Sequence, residues 1–139
     1  MLKKVLFFSC EPGGAEVLIP VIDLVKKETN YQVIVLAYGL GAERFARKSI
    51  EYIEIEKVLQ GDSAILQTYL PDLLITSATS LPAHDMSEKY LWQMARQLGI
   101  SSLAFLDQWQ NYSVRFSGTK KSERLSYLPD YINCIDKIG

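Results

Sequence analysis

Residues 7–25 read FFSCEPGGAEVLIPVIDLV. An apolar run breaks at Glu11-Pro12-Gly13-Gly14 and resumes with helical spacing, which predicts a buried strand feeding an amphipathic helix. The strand is expected over Val5–Ser9 and the helix over Ala15–Thr29, with Val17, Leu18, Val21, Ile22, Leu24 and Val25 on its inner side. Lys26 and Lys27 suit the negative end of that helix, Asn30 suits a left-handed stop, and Pro20 is expected to bend it. Paired glycines at such a junction let the backbone approach a ligand or the neighbouring strand.

Outward from this unit the pattern repeats. Strands are expected at 32–38, 52–55, 73–76, 102–106 and 131–135, and helices at 42–48, 62–69 and 87–98, the last stopped by Gly99. Strands alternating with helices at this spacing, the strands apolar on both faces, predict an α/β fold: a Rossmann-like, three-layer, doubly wound parallel sheet of about six strands in order 3-2-1-4-5-6. The chain of 139 residues is one domain by length, able to bury a bit over ~65% of its unfolded surface. The sixth strand ends close to the closing DKIG, where a Rossmann-like unit adds its last helix, so the expectation is a domain cut at a boundary or an unusually short protein.

Composition narrows the function classes. A net charge of −1 and the absence of a basic cluster give no electrostatic footprint for nucleic acid or an anionic membrane. The apolar runs are far shorter than the ~20 residues of a membrane span, and Met1-Leu-Lys-Lys enters a strand rather than a leader, so a cytoplasmic protein is expected. Cys10 and Cys134 each sit at a strand end, where a small buried thiol is the plain reading; no metal-ligand spacing occurs.

Ligands of open α/β sheets bind beyond the carboxyl ends of the strands, where the winding reverses. With this strand order the reversal lies between strands 1 and 4, which brings three loops to one rim. Gly13 and Gly14 offer N–H groups near a helix start, but without the Gly-Lys-Ser/Thr of a P-loop or the third glycine of the dinucleotide fingerprint. The Gly39-x-Gly41 of YGLGAER is read as a solvent loop. TSATSLPAHD supplies the hydroxyls of Ser77, Thr79 and Ser80, together with His84, the single histidine and a candidate general base. LDQWQNYSVRF is the densest: Asp107, Trp109, Asn111, Tyr112 and Arg115 combine a carboxylate, two aromatic platforms, an amide and a guanidinium suited to sugar hydroxyls. The plainer alternative for that loop is a core-anchored Trp109 with Asp107 paired to Arg115.

The segments SCEPGGAEVLIPVIDLV, YLPDLLITSATS, EKYLWQMARQLGISSLAFLDQWQNYSVRFS and YLPDYINCIDKIG resemble the N-terminal half of GT-B-type proteins, the glycosyltransferase and UDP-N-acetylglucosamine 2-epimerase-like group. The resemblance implies an acceptor-side domain facing a donor-binding C-terminal domain that this chain lacks. It implies a sugar-nucleotide or glycan ligand, no cofactor, no bound metal, and no turnover by the chain alone. The histidine that often follows the paired glycines in better-known transferases is replaced by Ala15 and Glu16, which leaves Glu11, Glu16, His84 and Asp107 as candidate bases. Two alternatives stand beside this reading: half of an epimerase-like enzyme, and a free-standing nucleotide- or glycan-binding module whose half-cleft is closed by a partner chain or a homodimer. A receiver-like signalling domain fits poorly, since the acidic pair and lysine it needs are missing.

Overall fold

The computed structural model describes residues 2–79, 85–106, 115–123 and 125–133. Six parallel strands form one sheet: β1 (Lys3–Ser9), β2 (Tyr31–Ala37), β3 (Ile53–Glu54), β4 (Leu73–Thr76), β5 (Ser101–Phe105) and β6 (Tyr131–Asn133). Their order is β3-β2-β1-β4-β5-β6, the doubly wound arrangement expected from the alternation of elements. Between the strands lie the helices α1 (Pro12–Lys26), α2 (Gly39–Arg47), α3 (Ala64–Tyr69) and α4 (Ser87–Leu98).

Both faces of the central strand are buried, and alternate residues serve two cores. Phe7 and Val5 join Leu18 and Ile22 of α1 and Phe45 of α2, whereas Leu6 and Phe8 join Leu91, Trp92 and Ala95 of α4. This period-two division of one strand between two helical layers accounts for its unbroken apolar sequence. Val5 stands opposite Val33 on β2 and Leu73 on β4, so the register holds the carboxyl ends of β1 and β4 side by side.

The helix starts depart from expectation in an informative way. α1 begins at Pro12 rather than Ala15, because proline at the first helical position loses no intrahelical hydrogen bond and arrives with φ already set. Gly13 and Gly14 therefore belong to the first helical turn. At the far end α1 stops at Lys26 with an αR cap at Lys27, and Asn30 is not left-handed; its carbonyl instead accepts the Lys3 N–H at 3.1 Å. Leu24, assigned to the inner side, is 63% exposed. Likewise α2 starts at Gly39, so Gly39-x-Gly41 is the helix start rather than a solvent loop. By contrast β4 and α4 have the expected bounds, and Gly99 caps α4 at φ +73°.

Candidate functional site

At the carboxyl edge between β1 and β4, the first turn of α1 lies directly against the residues that follow β4. Gly14 is buried there, and a Cβ on it would overlap Ser77 Cβ, stand 2.5 Å from Ser77 Oγ and 3.1 Å from Ser9 Oγ. Its lack of a side chain is needed for helix-to-strand approach. Gly13, one position earlier, is exposed at the helix start. The N-cap side chain makes no hydrogen bond to that start and no acid lies in its first turn, so its partial positive charge favours a polar oxygen there. A second helix start adjoins it. Gly41 of α2 packs on the backbone of Cys10 and Glu11, 2.9 Å from a would-be Cβ, and donates its N–H to Cys10 O at 3.3 Å.

The segment after β4 is held by charged side chains buried beneath the rim. Glu88, in the first turn of α4, is 2% exposed; its carboxylate accepts the Ser77 hydroxyl and, at 2.5 Å, the Thr79 N–H. Lys89, 1% exposed, donates from Nζ to Thr79 O at 3.3 Å. Arg115, also buried, donates to Ala78 O. Ser77 Oγ additionally lies 3.0 Å from Ser9 Oγ, and Thr79 Oγ1 lies 3.6 Å from Cys10 Sγ. Three consecutive residues, 77 to 79, are thus fixed through both backbone and hydroxyl groups, which turns a serine- and threonine-rich loop entrance into a rigid ledge. The next turn is tied as well: Asp85 accepts the Tyr38 hydroxyl and the Ser87 N–H, and Ser87 Oγ accepts the Val58 N–H at 3.0 Å.

Burial sets the protonation of this cluster. It pushes the Glu88 carboxyl up against the pull of its Ser77 and Thr79 hydrogen bonds and of Lys89, and it pushes the Lys89 ammonium down against the pull of Glu88, Cys10 and Asp85. Burial, helped by Glu88 and Asp85, also raises the Cys10 thiol far above its usual range, so this thiol is inert as a nucleophile at neutral pH.

The positions singled out in the sequence divide as follows. Glu11 is the N-cap residue of α1, half-buried, with its carbonyl accepting from Ser9 Oγ at 3.2 Å and from Ala15 N–H at 2.9 Å. Gly13, Gly14, Ser77 and Thr79 come together with it at the β1–β4 rim, the hydroxyl of Ser77 and the peptide groups of Thr79 being engaged inward. Arg115 reaches the same ledge. Ser80, His84, Asp107, Trp109, Asn111 and Tyr112 lie outside the described residues. Among the described residues no group of three histidine, cysteine or acidic side chains could hold a metal ion, and no helix is long and apolar enough to cross a membrane.

Sequence reasoning missed Glu88 and Lys89. A signal existed: Glu88 precedes Leu91, Trp92 and Ala95 by three, four and seven positions, so helical phase alone puts it on the buried stripe of α4.

No family model matches the sequence, and no curated protein matches it. Solved structures do match. A Listeria monocytogenes protein assigned as a UDP-N-acetylglucosamine 2-epimerase superposes with a TM-score of 0.62 at 11% identity, over 94% of this chain and 34% of its own. The UDP-GlcNAc 2-epimerase of Neisseria meningitidis, solved with UDP-GlcNAc, gives 0.61 at 15% identity over 87% and 37%. SsfS6, a glycosyltransferase of Streptomyces sp. SF2575, gives 0.52 at 12% identity over 75% and 39%. At these identities the likeness is one of fold. The chain spans a little over a third of the length of the structures it matches.

Proposed function

We propose that this chain is the acceptor-side domain of a sugar-nucleotide-dependent, glycosyltransferase-like enzyme, cytoplasmic and engaged in glycan biosynthesis, and inactive without a second domain. The observation that carries the proposal is the meeting of the uncapped α1 start and the clamped 77–79 ledge at the point where the sheet winding reverses. A helix start with an exposed Gly13 offers donors to sugar or phosphate oxygens, and a clamped ledge fixes where the following loop can place its groups. In this reading Glu11, His84 and Asp107 are candidate bases for an acceptor hydroxyl, and Ser80, Trp109, Asn111, Tyr112 and Arg115 candidate contacts for the sugar. In this reading a second domain supplies the activated sugar, and closure brings it to reacting distance.

A second reading, half of an epimerase-like enzyme with the nucleotide-sugar as substrate, is favoured by one comparison: the epimerase superpositions, at 0.62 and 0.61, exceed that of the transferase SsfS6, at 0.52. Incubating the chain with UDP-N-acetylglucosamine, with and without simple sugar acceptors, tests both. Unchanged nucleotide-sugar is expected; release of UDP, transfer or a 2-epimer by the chain alone would contradict the requirement for a second domain.

A further inference from the structure

The outer edge of β2 is only partly covered. β3 pairs with Leu36 and Ala37 alone, so among the described residues no strand residue pairs with the outer edge of β2 from Tyr31 to Val35. Ile55 N–H donates to Ala37 O at 3.0 Å, which fixes Ala37 as outward-facing. The two-residue alternation of a parallel ladder then puts the peptide groups of Val33 on the same open edge. Beside that edge lies an open groove of about 630 Å³, lined by Val33, Ile34, Val35 and residues 50–53. Ser49, at φ +58°, turns the chain away before Ile50, so residues 50–52 form a wall instead of lengthening β3.

The lining combines aliphatic side chains with Tyr52, one charge and exposed peptide groups, so apolar and polar surface are both on offer. Ile50 and Val35 are buried at its base, Ile53 is 47% exposed at its lip, and Glu51 is the only charged side chain that lines it. An open strand edge with flanking apolar surface is the arrangement by which extended peptides add to a sheet: ladder hydrogen bonds hold the peptide and alternate side chains enter the two faces. We infer that this groove takes an extended segment of a partner protein, apolar at alternate positions and carrying one basic side chain opposite Glu51, as an added strand beside β2. The site lies at the opposite side of the sheet from β4 and β5 and does not depend on the sugar reading above.

The test is a titration of the ¹⁵N-labelled chain with the peptide acetyl-TVKVTV-amide, followed by amide shifts. Shifts at Val33, Val35, Glu51 and Tyr52 are expected, with binding weakened about two- to fivefold in E51K, an exposed position. N-methylation of alternate peptide amides is expected to abolish binding, because it removes the ladder donors without changing the side chains. No shifts at about 1 mM peptide, or equal binding by the N-methylated peptide, would overturn the inference. So would the same shifts on concentrating the protein without peptide, which would assign the groove to a second copy.

Discussion

Gly13 and Gly14 are neighbours under opposite demands. Alanine is the better helix former by about 1 kcal/mol, so propensity alone favours replacing either. At Gly14 the added methyl meets Ser77 and Ser9 in a buried contact. G14A is therefore expected to lose about 1–3 kcal/mol in urea unfolding, the usual cost of overpacking. G13A, on the exposed side, is expected to gain about 0.5 kcal/mol in the same measurement. Equal effects at the two positions would contradict the placement of α1. The paired glycines were legible as a junction from sequence; which one serves packing and which faces outward required the helix phase, and that depended on Pro12 starting the helix.

Glu88 gives a prediction in pH. Its folded-state pKa is raised by burial, so above the ordinary carboxylate value of about 4.3 the folded state holds a proton that the unfolded state has released. Stability contributed by this group is full below that value and falls as pH rises through the window up to the folded pKa. Lys89, lowered by burial, has the opposite slope toward the ordinary lysine value and acts at the alkaline end. Asp85, Cys10 and Arg115 face the same pair. E88Q is expected to flatten the decline in unfolding free energy as pH rises above the ordinary carboxylate value of about 4.3. An unchanged slope would show that Glu88 is not its source.

At the scale of elements, the close seating of α2 on the β1–α1 junction has its own test. A Cβ at Gly41 would meet backbone atoms of Cys10 and Glu11, which cannot swing aside as a side chain can. G41A is expected to cost about 1–3 kcal/mol and to shift the amides of Gly13 and Gly14; no loss of stability would contradict the packing. This contact was invisible in the sequence, where Gly39-x-Gly41 had no partner to pack on until the fold brought α2 beside β1. Elements with a strong apolar period and clear stops, β4 and α4 with its Gly99 cap, were legible to the residue. Those whose starts are set by proline or glycine chemistry, α1 and α2, were displaced by three residues. The clamp on residues 77–79 was missed because buried charges read as solvent-facing ones unless helical phase is applied to them.

For the whole molecule, the doubly wound parallel sheet followed from alternation and handedness, and taking the common strand order then located the rim. The chemistry of that rim was legible only as an inventory of polar residues. Geometry then divides the inventory: the Ser77 hydroxyl and the Thr79 peptide groups serve the interior, and Gly13 is exposed at the helix start. The central claim is that the β1–β4 rim is the surface that meets the sugar ligand, an acceptor glycan or the sugar of a nucleotide-sugar. The most direct measurement is an amide-shift titration of the ¹⁵N-labelled chain with UDP-N-acetylglucosamine to about 1 mM, where a dissociation constant corresponds to about −4 kcal/mol. Shifts centred on Glu11, Gly13, Gly14, residues 77–84 and residues 107–115, and reduced in G13A, are the expected result. Shifts elsewhere on the sheet, or none at all, would contradict it.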